Sequence, residues 1–319
     1  MVVEVSEPQR NRFGEYIKAK LMLVLLGIVW GLNWPAVKVS LSGISPWTLR
    51  AIGLGAAACT LFLLAIVQRR TLRISLVRDR WHVFFAGLLN IALFNILLTF
   101  AQLGAATSRV AIITYSMPLW ATLLARIVLG ERLNVMRWIG LALGAAGLII
   151  LIYPLIGNGL PHGILLALAA ALTWAVGTVH MKWARIAAEP LAIAAWQLLV
   201  GALVALTGLL AFEGMPHLAH LSSKVLFALT YHIFFGMTLG YVLWFEIIAR
   251  LPAGAAALGT LLVPVVGVSS AVLLLGEHPS VADVMGFTIV FCAAICVLLP
   301  AGAYSVTKWR TLICSRPAE

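Results

Sequence analysis

Of 319 residues, 62% are hydrophobic and only 10% are charged, where a soluble domain carries about a quarter charged. A soluble core of this length cannot hide so much apolar surface, so a water-surrounded globule is excluded and lipid is the solvent for most of the chain. The formal net charge of +11 would suggest a polynucleotide partner in a soluble protein, but its distribution below assigns it to the membrane surface, and the four cysteines form no C-x-x-C pair, disulfide framework or metal site.

The N-terminal residues 1–18 are polar and of mixed charge, with no signal-cleavage pattern, so the first apolar run is expected to remain as a membrane helix. Ten apolar spans follow, near 19–39, 46–67, 81–103, 106–129, 135–155, 162–182, 190–212, 224–248, 252–275 and 281–300. Each is close to the length that crosses a bilayer as a helix, so the expected fold is an all-α membrane protein. The connections between spans are too short for a soluble domain. With the N-terminus inside, 18 of the 22 Lys and Arg fall on the inner side, leaving Lys38, Arg50, Arg109 and Lys224 outside. That skew predicts a bacterial-type inner (plasma) membrane protein with both termini cytoplasmic, including a tail over 301–319, and it needs no nucleic acid.

The first span carries Trp30, Asn33 and Trp34. Trp30 lies midway across it, where an indole N–H needs an internal partner. Arg50, near the outer end of the second span, reads as a snorkelling arginine, as does Arg109 at the start of the fourth. The third span sets Asn95, Thr99 and Gln102 at i, i+4 and i+7, one stripe on one helix face. Three such groups in one apolar helix are expected to avoid lipid. They read either as a polar cavity wall for a zwitterionic substrate or as interhelical glue.

The fourth span has Tyr115 just before Pro118 and ends in Gly130-Glu131. A proline inside a membrane helix removes one hydrogen bond and bends the segment. The flanking hydroxyls of Thr114 and Ser116 are expected to satisfy carbonyls near the bend. Glu131 ends a helix, where a carboxylate opposes the dipole, so a cation is expected nearby, with Arg126 or Arg132 at hand.

The sixth span adds Trp174 and His180, and the seventh adds Trp196 and Gln197. His180 is the titratable group open to proton coupling, with a hydrogen-bonded structural role as the plainer reading. No acid lies at the centre of a span, so coupling through a buried carboxylate is unsupported. The eighth span carries Tyr231, His232, Tyr241 and Trp244. The first two read as an outer aromatic belt, and the deeper two as a wall for stacking a substrate. The ninth span repeats the fourth, with Pro264 and Glu277, and no cation stands beside Glu277 in the sequence.

These landmarks recur at a fixed spacing. Trp30, Lys38 and Pro46 match Trp174, Lys182 and Pro190 at 144 positions. Pro118, Gly130, Glu131 and Gly140 match Pro264, Gly276, Glu277 and Gly286 at 146. Five spans per unit is an odd number, so the second unit is expected upside down relative to the first, an arrangement found in secondary transporters with their sites at the repeat interface. Residues 19–155 form one unit and 162–300 the other.

The Trp30-Gly31-Leu32-Asn33 start and the duplicated proline helix ending in Gly-Glu resemble the EamA family of the drug/metabolite transporter superfamily, over about residues 20–300. The resemblance implies a ten-helix exporter of small organic metabolites, most often amino acids, working by alternating access without a cofactor. A drug, pigment or vitamin carrier of the same fold is the alternative. In that setting the expected substrate contacts are Trp30, Asn33, Trp34, Asn95, Thr99, Gln102, Tyr115, Trp174, Trp196, Gln197, Tyr241 and Trp244. Pro118, Pro264, His180, Glu131 and Glu277 are expected to gate or couple. A membrane enzyme would need a motif such as H-E-x-x-H or G-x-S-x-G, which this sequence lacks. Proton coupling and oligomeric state stay open.

Overall fold

A computed structural model describes residues 7–156, 161–215, 221–250 and 260–298. Among them the chain is helical, without strands. In order come α1 (Glu7–Ser40), α2 (Pro46–Val67), α3 (Val77–Gly104), α4 (Thr107–Val128), α5 (Val135–Ile156), α6 (His162–Ala184) and α7 (Pro190–Glu213). Then come α8 (Ser223–Tyr231, His232–Leu239 and Gly240–Arg250), α9 (Leu262–Leu275) and α10 (Val281–Leu298). Eight of these are long and apolar enough to cross a membrane, while α9 and α10 are shorter apolar helices. The start of the ninth expected span (252–259), the end of the tenth and the 301–319 tail lie outside the described residues.

The two halves share their irregularities as well as their landmarks. A π-helical segment runs over Gly87–Leu93 in α3 and over His232–Leu239 in α8, and the two end 146 positions apart. Helix α4 breaks at Tyr115–Ser116 and resumes at Met117, so Pro118 falls in a first turn, where a missing N–H costs nothing. Pro264 sits likewise in the first turn of α9, after a turn at Thr260–Leu261. The expected proline bend is therefore a true helix break. Gly130 and Gly276 end their helices with φ of +68° and +67°, a left-handed geometry that glycine adopts without strain.

Packing follows the same pairing. Helix α1 lies on α9 and α8, as α6 lies on α4 and α3, while α2 packs on α7 and α5 on α10. The α5–α10 contact depends on small residues. A Cβ on Gly140 would come 2.7 Å from Val297 Cγ2, and one on Gly286 would come 2.3 Å from Leu151 Cγ. Gly236 and Gly240 lie under Asn33 and Trp30 of α1. These small-residue faces are thus occupied by neighbours within one chain. A large apolar core of α1, α3, α4, α6 and α10 residues includes Trp34, Leu98, Ile112, Ile164 and Val290. A second joins α2, α3, α7 and α8 through Leu54, Ile91, Leu198 and Met237.

Candidate functional site

The polar stripe of α3 lies inside the bundle, with Asn95, Thr99 and Gln102 at 5%, 0% and 1% exposure. Asn95 Nδ2 donates to Ile91 O at 2.9 Å, and Thr99 Oγ1 donates to Asn95 O at 2.8 Å. Ile91 belongs to the π segment, whose looser turn takes carbonyls off the regular ladder. The stripe is therefore tied to the irregularity just before it.

Arg50 of α2 donates from Nε to Thr99 Oγ1 and is 2% exposed. This corrects the snorkelling expectation. The buried face of α2 carries Arg50, Gly53, Leu54, Ala57 and Leu61, so the arginine shares the stripe that packs inward and cannot climb to the surface. That stripe is visible in the sequence as small residues at i+3 and i+7 from Arg50.

Tyr241 of α8 brings its hydroxyl within hydrogen-bonding reach of Asn95 and lies close to Arg50. His232 is fully buried, with Nδ1 at 2.8 Å from Asn33 Oδ1. An amide oxygen only accepts, so Nδ1 carries the proton and Nε2 of the neutral ring is an acceptor. That Nε2 has no partner and packs over Gly53; Gln102 Oε1 is likewise unpartnered. His232 thus belongs to the interior and not to an outer belt. Its neighbour Tyr231 donates to Val29 O at 3.1 Å.

An aromatic wall adjoins this group. Trp30 Nε1 donates to Gly236 O at 3.0 Å, and its ring lies 6.1 Å from Tyr241 and 6.0 Å from Trp244. The structure therefore gathers Arg50, Asn95, Thr99, Tyr241, His232 and Asn33, with Trp30 and Trp244 beside them. Gln102 continues the stripe toward the end of α3.

The other expected contacts lie elsewhere. Trp34 is buried against Gly267 of α9. Tyr115, with Ile112, Pro264 and Phe287, lines an apolar cavity of about 10 Å³, room for one water. Trp174 is partly buried on α6. Trp196 is 38% exposed, donates to Leu72 O at 2.9 Å and meets Phe62 edge-on. Gln197 is buried, with Nε2 at 3.7 Å from Met181 Sδ. Adjacent residues on a helix point about 100° apart, so Gln197 can face α6 while Trp196 faces outward.

His180 pairs with a residue the sequence did not single out. Its Nε2 lies 3.3 Å from His82 Nδ1, and Phe85 and Trp183 flank the two rings. The 98-position separation hid the pair. Among the described residues, no group of three His, Cys, Asp or Glu side chains is gathered as a metal site.

Charged residues hold the two ends of α4. At its C-terminal end Glu131 accepts from Lys182, and Arg137 lies at 3.4 Å. The Lys182 hydrogen bond holds the Glu131 carboxyl below its usual range. Arg126, one of the expected partners, donates only to the Glu131 carbonyl, at 3.4 Å. At the N-terminal end Glu277 accepts from the N–H groups of Thr107 and Ser108 at 2.6 and 2.8 Å. Its direct partner is therefore a helix start, with Lys38 and Arg109 near enough to feel its charge. Lys38 donates to Gln102 O, and to Ala105 O at 3.5 Å, closing the end of α3. Arg109 is no snorkelling residue either. Its Nε and Nη2 grip Asp283 at 2.6 Å each, tying α4 to α10.

Comparison with known proteins gives a consistent picture. The family model described as "EamA-like transporter family" matches residues 17–153 and again 161–299. The chain is 25% identical to "Uncharacterized transporter YoaV" of Bacillus subtilis, over 86% of this chain and 95% of that one. It is 27% identical to a Salmonella typhimurium protein named "Probable amino-acid metabolite efflux pump", over 90% of this chain and 94% of that one. A solved structure titled "Crystal structure of protein" is similar in fold, with a TM-score of 0.62 at 20% identity, covering 92% of this chain and 98% of that chain.

Proposed function

The chain belongs to the EamA-like transporter family, and from that premise we propose that it exports small organic metabolites, amino acids foremost, by alternating access around the Arg50–Asn95–Tyr241 group. It is a multi-pass membrane transporter, as its relatives are named transporters and efflux pumps and its helices are membrane-length. The finer reading is ten spans in two inverted units, 19–155 and 162–300, with both termini cytoplasmic.

The observation that carries the site is that the Tyr241 hydroxyl comes within hydrogen-bonding reach of Asn95. They are matched positions, 146 apart, one in each unit. Matched residues of two related units meet only near the axis that relates them, which is where a carrier of inverted repeats holds its substrate. The Trp30–Tyr241–Trp244 wall beside it favours substrates with an apolar or aromatic part.

Gating is read from the swapped ends. Lys182 of the second unit bonds Glu131 of the first, while at the opposite end Lys38 of the first closes the end of α3 and Glu277 of the second secures the start of α4. Pro118 and Pro264 mark the breaks about which α4 and α9 move. His180, paired with His82, is the group available for proton coupling.

Counterflow in proteoliposomes with an amino-acid panel, with and without a pH gradient, tests this reading. Exchange of at least one amino acid is expected. No flux for any of them would overturn the substrate assignment, and flux indifferent to the gradient would remove His180 from coupling.

A further inference from the structure

Arg50 is a cation buried on a membrane-length helix without an anion to match it. The ion pairs among the described residues join Arg78 to Asp79, Arg109 to Asp283, and Glu131 to Arg137 and Lys182. None reaches Arg50. Glu213, which meets α2 one turn before it, is committed to the helix start, accepting from the N–H groups of Trp47 and Thr48 at 3.0 Å each and from Ser45 Oγ. Arg50 uses Nε on Thr99, and its two terminal nitrogens find no acceptor among the described residues. Its titratable neighbours, Tyr241 and His232, are not carboxylates.

An ionised group so placed is costly unless paired, and in membrane spans such groups mark substrate paths. The site shows a second sign that it awaits a polar ligand. Gln102 Oε1 and His232 Nε2 are buried acceptors without donors, on residues 1% and 0% exposed. Native interiors leave few such groups unsatisfied.

We propose that Arg50 is the carboxylate-recognising residue of this site, gripping the acid group of the substrate with its two free terminal nitrogens, so that the carrier selects small organic carboxylates over their amides and amines. The inference rests on the transport reading above and narrows its substrate class. A planar guanidinium matches a carboxylate with two parallel hydrogen bonds, a geometry lysine cannot copy. Thr99 fixes the fork from the Nε side, leaving the opposite edge for the ligand. Because the arginine side chain is held between α2 and α3 with Tyr241 of α8 beside it, a bound carboxylate contacts both units at once. Ligand arrival is thereby linked to the packing that must change during transport.

The test uses the full chain and matched compounds: amino acids, their amides, and the corresponding decarboxylated amines. The purified wild-type protein is expected to melt at higher temperature with the acids and to be unmoved by the amides and amines. In proteoliposomes its flux should favour acid over amide by about tenfold or more, the scale of a charge-assisted hydrogen-bonded pair. Arg50→Gln is expected to collapse that ratio to near one, and Arg50→Lys to retain part of it. Should Arg50→Gln fail to fold, the wild-type compound series decides alone, since it needs no variant. Equal flux for acid and amide in the wild type, or an undiminished ratio in Arg50→Gln, overturns the inference while leaving transport intact. A wild type neither stabilised by nor moving any compound of the series overturns the transport reading together with it.

Discussion

At Gly236 a methyl group would come within 2.1 Å of Asn33 Oδ1, and at Gly177 within 2.1 Å of Asn90 Oδ1. Asn33 matches Gly177 at 144 positions, and Asn90 matches Gly236 at 146. The same side-chain-on-glycine contact is thus made twice with the units exchanged. The two differ in what the asparagine does next. Asn33 Oδ1 is bonded to His232 Nδ1, whereas Asn90 Oδ1 has no partner. Gly236→Ala must therefore break a buried hydrogen bond to make room, at a cost of about 1–3 kcal/mol. Gly177→Ala only displaces a free side-chain end and is expected to cost about 1 kcal/mol or less. Thermal unfolding of both variants in one detergent checks this; equal losses would show that the Asn33–His232 bond adds nothing. The residue scale is also where the sequence was least legible. It set Asn95 and Thr99 on one stripe and named Tyr241 as a deeper wall. It put Arg50 at the lipid edge and His232 in a belt, because distance from a span's end fixes depth but says nothing of rotation.

Two irregularities decide what the helices can do. The break in α4 is held by Ser116, whose Oγ donates to Ile113 O at 2.7 Å and accepts from Trp120 Nε1 at 3.0 Å. Pro118 then keeps the break open, because it cannot supply the N–H that would rejoin the ladder. Pro118→Ala restores that donor. It is expected to lower stability by about 1 kcal/mol or less, because alanine returns the unfolded-state freedom that proline removes, and to slow flux several-fold, as the restored N–H lets the ladder close across the hinge. Slowed counterflow with only a small loss in unfolding is the signature, and a variant as fast as the wild type would remove the hinge from the mechanism. The prolines and their repeat were plain in the sequence. The π segments were not, because a helix buried on several faces carries only a weak apolar period. Asn90 lies within the π turn of α3 and faces Gly177 of α6.

The whole molecule joins these parts through charges at its ends. Two lysines at matched positions also close helices. Lys38 caps α3, and Lys182, its match at 144 positions, bonds Glu131. In the proposed inverted arrangement these are the same lysine serving opposite faces, so a carrier that switches sides loosens one end as the other tightens. In this structure the Lys182–Glu131 end is an ion pair, while Glu277 is spent on the start of α4. The Lys182 end is therefore the one that an ion pair holds, and titrating that pair should loosen it. Glu131 has its carboxyl held below the usual range by Lys182. A depressed carboxylate contributes stability that is complete above its unfolded value, about pH 4.3, and lost as pH falls through the lower folded value. Across neutral pH the pair therefore stays made, and the proton is no everyday switch at this end. Glu131→Gln is expected to melt below the wild type at pH 7, with the difference shrinking toward zero as pH falls below about 4. The same variant should increase accessibility of a single cysteine placed at Ala184 near that end. A melting difference unchanged into acid would mean that Glu131 acts through its packing, and the end would then have to be closed by the neighbouring helices without the charge.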